Sequence, residues 1–83
     1  MMIEEELNQI KYYLFEHFTD FTYKPTDDRF FYLMAIQFPE LDLLTELKKF
    51  HVWTMDSSAP IRYPKIRFQN WLIKSQKFSK NKF

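Results

Sequence analysis

The stretch LLTELKKFHVWTM, residues 43–55, decides the fold of this chain. Its apolar residues recur at intervals of three and four, which is the period of one face of an α-helix. Pro39, a few residues earlier, is suited to the first turn of a helix. The pattern therefore predicts a helix that begins near Pro39 and packs one side against a core. The residues that share this side are Leu43, Leu44, Leu47, Phe50, Thr54 and Met55.

Two helices are predicted on the N-terminal side of this stretch. Residues 3–18 carry a second apolar repeat of three and four, with acidic residues at the N-terminal end, where carboxylates stabilise a helix. Thr26 is a favourable N-cap, with Asp27 and Asp28 in the first turn of a helix that reaches Gln37. Because residues 30–36 are almost all apolar, this helix is expected to be the most buried. The repeat in the first helix consists of Ile3, Leu7, Ile10, Leu14 and Phe18.

A fourth helix is predicted on the C-terminal side, after a turn over residues 56–60. Pro64 suits its first position, and Phe68, Trp71 and Leu72 fall on one side at 100° per residue, together with Ser75 and Phe78. Glycine, which tight hairpin turns most often require, is absent from the chain. The sequence therefore predicts an all-α fold, a compact bundle of about four helices with no sheet.

Length and composition predict one small domain. The chain has 83 residues, 46% of them hydrophobic, and we expect a helical domain over residues 1–78 with a frayed basic tail over residues 79–83. It has no cysteine, which excludes disulfides and thiolate metal sites. Its acidic start does not resemble a secretory signal, and its longest uncharged apolar run is too short to cross a bilayer. A cytoplasmic protein without membrane contact is expected.

Charge is divided unequally along the chain. Residues 1–56 contain eleven acids and five bases, a net charge of −6, whereas residues 57–83 contain seven bases and no acid. Such asymmetry is typical of a surface for nucleic acid or for an acidic partner, and also of two halves that neutralise each other in the fold. The sequence leaves both interpretations open.

The basic flank of the fourth helix is the strongest candidate for a binding site. Cations one helical turn apart present their charges to a phosphate backbone, an aromatic ring can stack on a base, and an amide can hydrogen-bond to either. A solvated, charge-balancing helix face is the alternative interpretation. The candidate nucleic-acid-binding residues are Arg62, Tyr63, Lys65, Arg67, Asn70, Lys74 and Lys77.

A second candidate surface would bind a protein partner. Ile66 and Ile73 project roughly opposite the apolar side of the fourth helix, next to the basic flank, and would form an exposed apolar patch. Trp53 falls near charged residues of its own helix and is expected at the boundary of the core. Alternatively, the fourth helix buries both of its sides, or the two isoleucines are isolated exposed apolar residues without a binding role.

Catalysis and metal binding are weakly supported. His17 and His51 are the only histidines, and a histidine packed against aromatic rings with one nitrogen hydrogen-bonded is the simpler interpretation. Asp42 and Glu46 lie one helical turn apart but lack a histidine to complete a metal site, and such acids usually lie at the surface. Without glycine there is no phosphate-binding loop. We expect that the protein is not an enzyme and that it binds no cofactor, metal or small-molecule substrate.

Three segments carry a resemblance to a known family: FPELDLL at residues 38–44, ELKKFHVW at residues 46–53 and, after a spacer that contains proline, FQNWL at residues 68–72. The series resembles a helical segment near the C-terminus of replication-initiation and replisome-organiser proteins of phages and plasmids. The resemblance implies a part in DNA replication, by helping to load a helicase or by gripping single-stranded DNA. Lys65, Arg67, Asn70 and Trp71 lie in the matching segment.

The resemblance covers about two thirds of the chain. Those proteins usually carry a winged-helix DNA-binding domain in front, whereas an acidic helix precedes the segment here, so origin recognition is not implied. The expected function is a non-catalytic, replication-associated accessory module of phage-like or mobile-element origin. Its expected partner is DNA, single- or double-stranded, or a replication protein. The alternative is a small helical adaptor that docks an acidic protein partner.

Overall fold

The computed structural model describes residues 2–56 and 62–80, and side chains as far as Lys77. In these residues the chain forms four α-helices and no β-strand, which confirms the predicted all-α bundle. Two single-turn 3-10 helices, Thr19–Phe21 and Pro25–Asp27, join the first two α-helices. The α-helices are α1 (Glu4–Glu16), α2 (Asp28–Gln37), α3 (Leu43–Asp56) and α4 (Pro64–Lys80).

The core is largely aromatic, and Phe68 fixes the position of α4 within it. Its ring is fully buried and lies with its centroid 5.5 Å from that of Phe50 on α3, 6.1 Å from Phe21 and 6.3 Å from Phe31 on α2. Leu72, one turn further along α4, is also fully buried. The predicted apolar side of the fourth helix is therefore its inward side, and the opposite side is left to solvent.

The start of α2 differs from the prediction. Thr26 is not its N-cap, because residues Pro25–Asp27 form a 3-10 turn and α2 begins at Asp28. The carboxylate of Asp27 closes this turn by accepting a hydrogen bond of 2.9 Å from the backbone N–H of Lys24. An aspartate that reaches back three residues competes successfully with the threonine beside it.

The start of α3 also differs from the prediction. Pro39 lies in a turn rather than in the helix, and α3 begins at Leu43. The residue before it, Asp42, accepts a hydrogen bond of 2.9 Å from the hydroxyl of Thr45 and one of 3.5 Å from its backbone N–H, the group that an N-cap aspartate commonly binds. Residues 39–42 therefore lie in the connection between α2 and α3, four residues that the proline had suggested would be helical.

The expectation that α2 is the most buried helix was wrong. Phe31 and Met34 are buried, but Leu33 and Ile36 are exposed. The neighbouring elements cover only one side of α2, so its nearly continuous apolar run leaves some side chains in solvent.

Several predictions fall on residues that the structure does not describe. These are most of the turn at residues 56–60, the side chain of Phe78 and residues 81–83 of the predicted tail; α4 itself continues to Lys80. Within the described ranges, no helix is both long enough and apolar enough to cross a membrane.

Candidate nucleic-acid interface

The outward side of α4 and the end of α3 enclose a cleft of about 490 Å³. It brings together seven of the ten residues predicted to bind nucleic acid or a partner. Phe50 and Trp71 complete its lining from the side of the core. The seven residues are Trp53, Arg62, Tyr63, Ile66, Arg67, Asn70 and Lys74.

The charge of the cleft has one sign. Its lining contains three cations and no acid. Arg62, Arg67 and Lys74 are exposed, as is Lys77 further along α4, and none of the four forms an ion pair with the part of the chain that the structure describes. Cations that are not neutralised within the fold keep their full attraction for an external anion.

Aromatic rings form the wall between α3 and α4. Trp53 lies with its ring centroid 6.0 Å from Phe50, with which it stacks, and 6.0 Å from Trp71. Trp53 remains 46% exposed, in agreement with its predicted place at the boundary of the core. The cleft thus combines cations with accessible aromatic surface.

Tyr63 stands at the mouth of the cleft in an unusual backbone conformation. Its φ of 55° is left-handed, a region that costs free energy for any residue with a Cβ atom. Its carbonyl oxygen accepts the hydrogen bond of the Arg67 N–H at 3.1 Å, the first turn of α4, while Pro64 takes the first helical position. Tyr63 is 74% exposed and lines the cleft beside Arg62 and Arg67.

The side chain of Lys65 does not line the cleft. Its ammonium group lies 2.7 Å from Oδ1 of Asp27, on the other side of α4 from the cleft. Burial raises the pKa of Asp27, but the hydrogen bonds from Lys65 and from the backbone of Lys24 outweigh it, so this pKa lies below its ordinary value of 3.8. Lys65 therefore already has a carboxylate partner within the fold.

Ile73 and Lys77 lie outside the cleft, at a shallower depression between α4 and the end of α2. Ile73 is 38% exposed and Ile66 is 59% exposed. The two isoleucines are seven residues apart and so project from the same side of α4. The expected apolar patch is therefore present as an interrupted stripe beside the basic residues.

Glu46 is the residue that sequence reasoning placed incorrectly. It was expected at the surface with Asp42, but it is only 8% exposed. Its Oε1 accepts hydrogen bonds from Nε1 of Trp71 at 3.1 Å and from the hydroxyl of Ser75 at 2.7 Å. Its position four residues before Phe50, on the apolar side of α3, is the signal that would have placed it inward.

His51 has the packing and the hydrogen bond that the simpler interpretation predicted, whereas His17 is exposed. His51 is buried, stacks on Phe18 with a centroid separation of 4.1 Å, and has Nδ1 2.7 Å from the hydroxyl of Tyr13. Burial lowers the pKa of His51 below its ordinary value of 6.5, an effect that Asp20 opposes and His17 reinforces. Burial also raises the pKa of Tyr13. Among the described residues no group of three or more metal-ligating side chains could hold a metal ion.

Comparison of the chain with protein-family models, with curated proteins and with solved structures finds no match. The structure shows where the residues that carry the resemblance to replication proteins lie in the fold. Most of their apolar members are core residues, which pack α2, α3 and α4 together. These are Phe38, Leu43, Leu47, Phe50, Phe68 and Leu72.

Proposed function

We propose that this protein is a non-catalytic nucleic-acid-binding module that contacts DNA through the cleft and the outward side of α4. The observation that carries the proposal is the cleft itself, in which Arg62, Arg67 and Lys74 lie beside exposed aromatic rings with no carboxylate in the lining. Cations on a surface of this kind neutralise phosphates and release counterions, which is the main source of sequence-independent affinity for DNA.

The spacing of the cations suits an extended phosphate backbone. Arg67 and Lys77 are ten residues apart on one helix, a separation of about 15 Å at a rise of 1.5 Å per residue, and Lys74 lies between them. Asn70, on the same side, offers an amide to a phosphate or a base edge. Phosphate contacts made in this way are independent of sequence.

Aromatic rings at the cleft offer a second kind of contact. The exposed rings of Tyr63 and Trp53 present apolar surface on which a base can stack, and stacking of this kind tolerates any base. Lys65, which was expected among the contacts, is proposed in a lesser role because its ammonium group is paired with Asp27.

The proposed biological setting is DNA replication, as an accessory module of phage-like or mobile-element origin. This part rests on the resemblance of residues 25–77 to replication-initiation and replisome-organiser proteins. The single-sign charge of the cleft supports DNA as the partner, and the buried apolar residues of the resembling segments support a shared packing of α3 against α4.

Fluorescence anisotropy of labelled single-stranded and duplex DNA tests the proposal at salt concentrations between about 50 and 200 mM. We expect affinity to fall steeply as salt rises, because several phosphates are neutralised. Absence of binding to both DNAs at the lowest salt concentration would overturn the proposal.

Matched charge reversals locate the interface. We expect Arg67→Glu, Lys74→Glu and Lys77→Glu together to abolish most of the binding. The control triple, Lys24→Glu, Arg29→Glu and Lys48→Glu, changes the net charge equally at exposed sites on other elements. Retained affinity in the first triple variant would show that this side of α4 does not bind DNA. Equal loss of affinity in both triple variants would show that the net charge of the protein, rather than this side of α4, determines binding.

A second candidate function is a protein-interaction adaptor that docks an acidic partner. The observation that favours it is the exposure of Ile66 and Ile73 next to the basic residues, since protein interfaces combine an apolar centre with a polar rim. Binding of an acidic protein that is weakened by Ile66→Ser with Ile73→Ser, while DNA binding is unchanged or absent, would favour the adaptor.

A further inference from the structure

Few of the opposite charges that the structure describes form ion pairs with each other. The described residues contain three ion pairs, and only one of them, Lys65 with Asp27, joins α4 to the acidic part of the chain. Among the described residues, most charged side chains of α4 and of the acidic part of the chain are thus not paired with each other, and they are available for contact between molecules.

The acidic surface has a defined shape. A groove of about 490 Å³ runs between the start of α1 and the turn that joins α2 to α3. It is large enough to admit side chains, since a single water molecule occupies about 30 Å³. Its base is apolar and includes the buried Ile10 and Phe38, while its charged lining residues are all carboxylates. These are Glu6, Glu40 and Asp42, which are exposed and form no ion pair with the described side chains.

The outward side of α4 carries the opposite features. Lys74 and Lys77 are exposed, and Ile73, which directly precedes Lys74 in sequence, lies on the same side of the helix as Ile66. A basic ridge with apolar side chains thus matches an acidic groove with an apolar base. Complementary charge of this kind favours association and fixes orientation.

We infer that the groove of one molecule receives the outward side of α4 of a second copy of this chain. The two surfaces lie on different elements, so the contact is head-to-tail. Such a contact does not close after two copies unless the rotation between them forms a ring. The protein is therefore expected to form a series of oligomers that grows with concentration and dissociates as salt screens the charges. This inference does not depend on DNA binding.

Sedimentation velocity on nucleic-acid-free protein tests the inference at rising concentration in about 20 mM and about 200 mM salt. We expect the wild type to associate at low salt and to be monomeric at high salt. A wild type that stays monomeric at low salt over the whole concentration range would overturn the inference, whatever its affinity for DNA.

Charge exchange identifies the two surfaces. The groove variant carries Glu6→Lys with Glu40→Lys, and the helix variant carries Lys74→Glu with Lys77→Glu. Each is expected to be monomeric alone, because each presents two surfaces of the same sign. An equimolar mixture is expected to associate again, because the basic groove of one variant fits the acidic helix of the other.

The control variant changes the same charge at exposed acids away from the groove, with Glu16→Lys and Asp56→Lys, and is expected to associate as the wild type does. Circular dichroism establishes whether each variant is folded. If the groove variant is not folded, Glu6→Gln with Glu40→Gln takes its place. A groove variant that associates normally, or a mixture that remains monomeric, would overturn the assignment of these surfaces.

Discussion

The two sides of α4 differ in how their polar groups are partnered, although they belong to one helix. On the inward side, Trp71 and Ser75 donate hydrogen bonds to Glu46 of α3, and Lys65 pairs with Asp27. On the outward side, Arg67 and Lys74 form no ion pair with the described residues. The inward groups hold the helix in place, and the outward groups are free to act on another molecule.

The largest effect on stability is expected from a substitution that removes the hydrogen bonds on the inward side of α4. Glu46→Ala leaves the partly buried donors of Trp71 and Ser75 without their acceptor, and an unsatisfied group withdrawn from solvent costs about 1–3 kcal/mol. We expect the free energy of unfolding to fall by about 2–3 kcal/mol in urea denaturation. Glu40→Ala is the matched control, because Glu40 is exposed and accepts no hydrogen bond among the described side-chain contacts. Equal stability of the two variants would contradict a structural role for Glu46.

A smaller effect is expected at the ion pair on the same side. Because the pKa of Asp27 is lowered in the folded state, its ionised form contributes stability at neutral pH, and this contribution is lost as pH falls below the ordinary value of 3.8. Asp27→Asn should reduce stability by about 1 kcal/mol at pH 7. The difference from the wild type should shrink in acid, measured by urea denaturation from pH 7 to pH 3. A difference that does not change with pH would mean that the charge of Asp27 is not involved.

The buried histidine provides a pH-dependent test of the part of the core where α3 packs against Tyr13 and Phe18. Burial lowers the pKa of His51, so the unfolded chain takes up a proton before the folded chain does. Stability should therefore decline as pH falls from above the ordinary value of 6.5 toward the lower pKa of the folded state. We expect His51→Gln to remove this decline, and His17→Gln, at an exposed site, to retain it. The pH dependence of the thermal midpoint between pH 7.5 and 5.5 checks this, and a decline that persists in His51→Gln would assign it to another group.

The smallest effect on stability is expected on the outward side. Lys74→Gln with Lys77→Gln should change the free energy of unfolding by less than about 0.5 kcal/mol, because exposed side chains without partners contribute little to the fold. The same variant should nevertheless bind DNA more weakly, measured by anisotropy at low salt. A clear loss of stability here would mean that the outward cations serve the fold after all.

Local periodicity was sufficient to predict much of this molecule. The spacing of apolar residues predicted the four helices and the inward side of α4, and Pro64 marked where α4 begins. The helix starts at residues 26 and 39 were wrong, because Asp27 and Asp42 made side-chain contacts that outweighed the propensities of Thr26 and Pro39. Short-range competition of this kind depends on rotamers and backbone angles that sequence patterns do not specify.

The candidate site shows where prediction from sequence ends. The sequence by itself determined the charge division, the absence of glycine and cysteine, and the exposure of a basic side on α4, because these follow from composition and from the 3.6-residue period. Only the tertiary structure decided that Glu46 is buried, that Lys65 is paired with Asp27 and that the end of α3 completes the cleft. Those facts depend on how helices far apart in sequence are rotated against one another, and the packing of Phe68 among three aromatic rings sets that rotation.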